Sequence, residues 1–256
     1  MKLDKQVAVV TGGSRGIGRE ICRALAAEGA TVVVNHRRSA TRAAEVAELI
    51  QAEGGQAEVI AADVAEPDEV DRMIAEVVER HGRVDVLVNN AGVAEDDLIC
   101  RMSPDSWLAV MKVNFGGVFH CTQAVLPRLM AQGSGSIVNI SSVMGERGWI
   151  GQANYAASKG AINAFTRCSA MEAARFGVRV NAVLPGFSPT EMVAGLLEGD
   201  RGKQILRQIP LRSFVEPEAI AQAVCFLAGP DAGLITGALV PVDGGALTAL
   251  GLGRAR

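Results

Sequence analysis

VAVVTGGSRGIG (residues 7–18) runs from a short valine-rich series through glycines at 12, 13, 16 and 18 into a helical pattern. A strand this apolar belongs in a sheet covered on both faces. Gly12, Gly16 and Gly18 permit a tight turn, close backbone approach to a ligand, and close packing of helix on sheet. The helix that follows (17–29) opens with unpaired N–H groups, which attract negative charge such as a pyrophosphate. The spacing is GxxxGxG, not the GxGxxG of the common dinucleotide fingerprint. Its place after the first strand of a βαβαβ pattern makes it a dinucleotide loop.

The same alternation continues outward from this loop. TVVVN (31–35), AEVIAAD (57–63), VDVLVNNAG (84–92), SIVNISS (136–142), GVRVNAVLPG (177–186) and ALVPVDGG (238–245) read as strands. Helical spacing covers 40–53, 67–82, about 104–131, 153–176 and 216–229; Pro67 opens the second of these and Gly82 closes it. Apolar strands that alternate with helices predict one α/β domain over 1–256, a doubly wound parallel sheet of Rossmann type with helices on both faces. Residues 187–212 mix glycine, proline and charge as a loop or lid would, and 247–256 form a C-terminal tail.

Bulk composition narrows the function. Of 256 residues, 49% are apolar and 21% charged, with a net charge of −3, so the chain buries a large core and lacks a basic footprint for nucleic acid or an anionic membrane. Five dispersed cysteines show no metal or disulfide spacing and read as buried or half-buried thiols. His36, His81 and His120 also lack ligand spacing and read as surface or structural; no metal site is expected. With no signal-like or membrane-length apolar run, a soluble cytoplasmic protein is expected.

The end of the second strand distinguishes the dinucleotide. NAD sites place an acid there to bind the ribose hydroxyls. This chain has Asn35-His36-Arg37-Arg38, and Arg15 adds a cation inside the glycine loop. Guanidinium groups suit a 2′-phosphate through forked, charge-assisted hydrogen bonds, so NADP(H) is expected.

Tyr155, the only tyrosine, and Lys159 are spaced i, i+4 on one helix face. An ammonium beside the phenol would lower its pKa toward the working pH, which general acid–base chemistry needs. Ser142, at the mouth of the strand leading into this helix, could hydrogen-bond the same carbonyl oxygen. TGGSRGIG, NNAG (89–92), Asn114, Ser142 and YAASK (155–159) occur in this order on one α/β chain. Together, over Lys5 to about Ala246, they resemble the short-chain dehydrogenase/reductase family.

The resemblance implies roles for individual positions. Tyr155 would be the proton donor and Ser142 would orient the carbonyl oxygen. Lys159 would tune Tyr155 and hold the nicotinamide ribose, and Asn114 would anchor a relay water through its place in the helix. The cofactor would lie on Gly12, Ser14, Arg15, Gly16, Ile17 and Gly18, with Arg37 and Arg38 at its phosphate. Asp63 and Val64 would meet the adenine and Asn90, Ala91 and Gly92 the ribose side. Pro185, Gly186, Ser188 (by its backbone) and Thr190 would meet the carboxamide end. Met144, Trp149, Gln152, Phe187 and Met192 are candidate substrate contacts, Trp149 either as a selector of bulky ketones or as packing.

Within the family, NNAGVAEDDLICRMSPDSW (89–107), VNAVLPGFSPTEM (180–192) and ITGALVPVDGG (235–245) look most like 3-oxoacyl-[acyl-carrier-protein] reductases, with acetoacetyl-CoA reductases close behind. The resemblance implies NADPH-dependent reduction of a 3-oxoacyl thioester to the (3R)-3-hydroxyacyl thioester, with acyl carrier protein as a partner, in a homotetramer built on the fourth and fifth helices. The turn AQGSGS (131–136), where such enzymes carry part of a basic patch beside the site, has no Lys or Arg; Arg128, Arg167 and Arg175 are the substitutes. Ser188 replaces a branched apolar residue. Other ketone or ketoester substrates, oxidative action on an alcohol or sugar, and a non-catalytic dinucleotide sensor are the alternatives. The intact set Asn114, Ser142, Tyr155 and Lys159 weighs against the sensor.

Overall fold

The computed structural model describes residues 1–191, 193, 195 and 199–248. Its strands are β1 (Val7–Val10), β2 (Thr31–His36), β3 (Gln56–Ala61), β4 (Val86–Asn89), β5 (Gly135–Ile140), β6 (Val178–Pro185) and β7 (Leu239–Val242). They form one parallel sheet in the order β3-β2-β1-β4-β5-β6-β7. The order reverses between β1 and β4, where crossovers leave in opposite directions and a crevice opens at the strands' carboxyl ends.

The helices are α1 (Gly16–Ala27), α2 (Ala40–Ala52), α3 (Pro67–His81), α4 (Pro104–Met111), α5 (Gly117–Gln132), α6 (Ala153–Ala174), α7 (Gly199–Gln208) and α8 (Pro217–Ala228). Successive side chains of a strand point to opposite faces. Ala8 and Val10 of β1 pack with Ile21 and Leu25 of α1, Val46 of α2 and Val224 of α8. Val7 and Val9 pack on the other face with Ile74 of α3, Val125 of α5 and Ala173 of α6. Both faces are therefore dry, which explains why the strands lack a polar alternation. Burying each valine-sized side chain contributes roughly 1.5–3 kcal/mol.

Four expectations change. The helical region 104–131 is not continuous: residues Lys112–Gly116 form a π-helical turn between α4 and α5, and Asn114 lies in it. The segment 187–212 contains α7, whose Ile205, with Ile209 just beyond it, packs against Phe187, Trp149 and Phe214. Only a narrow stripe of apolar residues anchors that helix, so its charged remainder reads as loop. The turn 131–136 leads into the amino end of β5, whereas the crevice lies at the carboxyl ends, so this turn and the nearby Arg128 and Arg175 sit at the opposite edge of the sheet. Arg128 donates to Ala124 O on its own helix, and Arg175 lies over the Phe176 ring. Cys22 and Cys121 are buried and Cys225 half-buried, but Cys100 and Cys168 are exposed. Among the described residues, no helix is long and apolar enough to cross a membrane.

The amino end of β6 carries a structural cation. Half-buried Arg179 donates to Leu227 O, Ala228 O and Gly229 O, closing the carboxyl end of α8. Arg179→Leu is expected to lower the unfolding free energy by about 2 kcal/mol, measured by urea denaturation, with dinucleotide affinity unchanged. Unaltered stability would show that water replaces the guanidinium at these carbonyls.

Candidate active site

The crevice is framed by polar residues at the ends of apolar strands. Thr11, directly after β1, accepts hydrogen bonds at Oγ1 from Asn90 N and Ala91 N (2.9 and 3.0 Å) and donates to Val88 O at 3.3 Å. Asn90 Nδ2 donates to Thr11 O and Gly12 O at 2.9 and 3.1 Å. Asn35 at the end of β2 accepts from Gly12 N and donates to Ile60 O and Ala62 O. Asn89 Nδ2 donates to Asn139 Oδ1, and Asn139 Nδ2 to Thr166 Oγ1, tying β4 and β5 to α6. Thr11, Asn35, Asn89 and Asn139 were not among the expected site residues. Their signal is a polar side chain ending an apolar strand.

A cleft of about 310 Å³ runs along this frame. Every residue assigned above to the cofactor lines it, from Gly12, Ser14, Arg15, Gly16, Ile17 and Gly18 through Arg37, Arg38, Asp63, Val64, Asn90, Ala91 and Gly92 to Tyr155, Lys159, Pro185, Gly186, Ser188 and Thr190. The cleft fits a dinucleotide. Gly12 adopts φ +63°, and a Cβ on Gly18 would come within 2.3 Å of Gly12 O, so only glycine leaves this cradle open. No side chain caps the start of α1, so its N–H groups face the cradle. Ser188 Oγ and His36 Nδ1 are buried along the cleft and have no hydrogen-bond partner among the described residues, as expected for groups awaiting a ligand. His36 is thus a lining residue rather than merely structural, and burial lowers its pKa.

A second cleft of about 550 Å³ meets the first. Met144, Trp149, Gln152 and Phe187 line it; Met192 lies outside the described residues. Trp149 also packs edge-on against Phe187 at 5.3 Å, so it is both wall and packing. Ser142 and Tyr155 line both clefts and stand where they join.

Lys159, 4% exposed, donates from Nζ to Ile140 O at 2.8 Å and sits 5.5 Å from the centroid of the Tyr155 ring. The expected lowering of the phenol pKa is absent in the free protein. Loss of hydration pushes Tyr155 up to about 12; hydrogen bonding with Ser142 opposes this, and the Asp96 carboxylate adds to it. Burial brings Lys159 down to about 8. The phenol therefore stays loaded with its proton at neutral pH. Asn114 does not line either cleft. Its amide accepts from Val93 N at 2.8 Å and donates to Val93 O and Ser158 Oγ, so the side chain braces the 89–93 turn against α6.

The depressed lysine links stability to pH. An unfolded chain binds the Lys159 proton up to about 10.5, the folded one only to about 8, so between these values the unfolded state holds more protons and stability rises with pH. Burial raises the Cys22 and Cys121 thiols, which acts oppositely above about pH 9, so the comparison must be with a lysine variant. The stability of the wild type relative to Lys159→Met is expected to climb from pH 8 to pH 10 in urea unfolding. Parallel curves would mean an ordinary, hydrated lysine.

The comparisons with known proteins agree with this geometry. A family model described as enoyl-(acyl carrier protein) reductase matches residues 12–247. The chain is 47% identical to a 3-oxoacyl-[acyl-carrier-protein] reductase of Staphylococcus epidermidis, covering 93% of this chain and 97% of the relative. It is 48% identical to a 3-oxoacyl-[acyl-carrier-protein] reductase of Synechocystis sp., covering 95% and 97%. Its fold superposes with a TM-score of 0.93 on a gluconate 5-dehydrogenase of Burkholderia cenocepacia in complex with NADP and tartrate, 36% identical over 97% of this chain and 98% of that one. A glycine cradle at the sheet's reversal, with serine, tyrosine and lysine converging beside it, thus accompanies similarity along nearly the whole sequence: the chain belongs to the short-chain dehydrogenase/reductase family.

Proposed function

We propose that this protein is an NADP(H)-dependent reductase that converts the ketone of a 3-oxoacyl thioester into the (3R)-3-hydroxyacyl thioester. The observation that carries this reading is the position of Ser142 and Tyr155 at the junction of the two clefts. A carbonyl entering from the second cleft meets two hydroxyl donors beside the first. NADPH, when bound in the first cleft, supplies the hydride. Tyr155 gives its proton to the carbonyl oxygen, and Ser142 donates a hydrogen bond that orients the same oxygen. The Lys159 ammonium stabilises the phenolate that remains. The side chain of Asn114 is engaged in bracing, so any part in proton relay falls to the main chain of its π-helical turn.

NADP(H) is supported by arginines rather than an acid after β2 and by the NADP complex of the structural relative. Two donors meeting at one point suit direct C=O reduction better than the C=C reduction named by the family model. The 47–48% identical relatives favour a carrier-protein thioester, with acetoacetyl-CoA as the alternative in the same site. A second reading, a polar oxo-acid, draws on Arg101, Arg201, Asp96 and Gln152 in the second cleft and on the relative that holds tartrate. We also read exposed Trp107, Leu108, Phe119 and Met171 as surfaces for homotetramer assembly.

NADPH oxidation with acetoacetyl-CoA, a longer 3-oxoacyl-CoA, the same acyl groups on carrier protein, an aryl ketoester and 5-oxogluconate separates these substrates. The carrier-bound thioester is expected to give the highest kcat/KM; preference for 5-oxogluconate would replace this reading with the second. Tyr155→Phe should reduce turnover roughly 10²–10⁴-fold while the NADPH Kd stays within about twofold, and unchanged turnover would remove Tyr155 as donor. Replacing Arg37 with Asp and Arg38 with Ala should move the NADPH/NADH ratio of kcat/KM toward NADH by roughly ten- to a hundredfold. A fixed ratio would place those cations in solvent.

A further inference from the structure

The outer end of the first cleft, beyond β2, carries four arginines. Arg15, Arg37 and Arg38 line the cleft, and Arg42 lies in the first turn of α2. Arg37 Nη1 approaches Asp63 Oδ2 at 3.4 Å. Glu191, from the segment after β6, takes two of the others. Its Oε2 accepts from Arg15 Nη1 at 2.8 Å, and both carboxylate oxygens accept from Arg42 Nη1 at 3.0 Å. Glu191 lines the same cleft, and the adjoining Thr190 stands against Gly16 of the glycine cradle. Arg38 has no ion-pair partner among the described residues.

One carboxylate therefore bridges the glycine loop and the start of α2, at the place where a 2′-phosphate would need positive charge. Arg42 and then Arg15 hold the Glu191 carboxyl below its usual pKa, so the carboxylate is charged at neutral pH. All three side chains are at least half exposed, so solvent screens these pairs and they hold only weakly. A phosphate monoester brings close to two negative charges and three acceptor oxygens, and it can take guanidiniums from a single carboxylate.

We propose that Glu191 is a built-in competitor for the cofactor's 2′-phosphate. It occupies Arg15 and Arg42 in the free protein, yields them when the phosphate enters, and so sets how strongly the cleft prefers NADP(H) over NAD(H). Arg42, which the sequence alone did not nominate, becomes a phosphate-binding residue. This inference rests on the NADP(H) reading above and names the residue that tempers it.

Calorimetric titration with adenosine 2′,5′-bisphosphate and with 5′-AMP tests the proposal without turnover. Glu191→Gln should tighten the bisphosphate by roughly three- to tenfold and leave 5′-AMP within about twofold. Arg42→Ala should weaken the bisphosphate selectively, and Glu191→Gln in that background should gain less. If Glu191→Gln weakens both probes alike, the carboxylate is a clasp that holds the loop, and the competitor role is overturned. Unchanged affinities overturn it as well. A wild type that binds both probes equally would overturn the NADP(H) reading together with this one, whereas a wild-type preference untouched by Glu191→Gln would sink the competitor alone.

Discussion

The hydroxyl of Thr11 and the amide of Asn90 join β1 to β4 at the one place where the sheet reverses its order. Without such bonds, the backbone groups that leave two diverging strands would face an open crevice unpaired, which is costly once water is displaced. With them, the glycine turn and the 89–92 turn form one rigid unit. Gly18 closes that unit from above, since any side chain there would strike Gly12 O and Asn90 Nδ2. The crevice is thus framed by side-chain bonds to main-chain groups and by a glycine that no larger residue can replace.

The chemistry depends on a second constraint, the placing of a phenol and an ammonium in low dielectric. Burial acts on them in opposite directions, raising one and lowering the other. Both shifts favour the neutral forms, so a cation or anion arriving in the cleft meets groups whose charges respond to it strongly. Ile140 O fixes the ammonium from below, and Asn114 fixes the facing turn to α6 through Ser158. Tyr155 and Lys159 therefore stand on a helix, and Ser142, two residues beyond β5, caps a short 3₁₀ turn, which suits the close positioning proposed for them.

The far end of the cleft is organised differently. Its cations are exposed, and three of the four, Arg15, Arg37 and Arg42, pair with Asp63 and Glu191, acids that belong to other segments of the chain. Rigid, buried polar bonds hold one end of the site, and exchangeable, hydrated ion pairs hold the other.

Much of this was legible in the residues. The parallel sheet could be read because strands buried on both faces must be apolar throughout, as Val7–Val10 and Val32–Val34 are. The glycine cradle, Ser142, Tyr155 and Lys159 could be read because each sits at a strand end or a fixed helical spacing, where local sequence determines position. Tertiary structure decided what depends on distant neighbours. The π-helical turn around Asn114 leaves no local mark that separates it from an α-helix. The pKa values of Tyr155 and Lys159 follow from how completely surrounding elements exclude water, and local spacing alone suggested the wrong direction for the phenol. The pairing of Arg15 and Arg42 with Glu191 joins residues far apart in the chain, and only the folded crevice brings those charges within reach of one another.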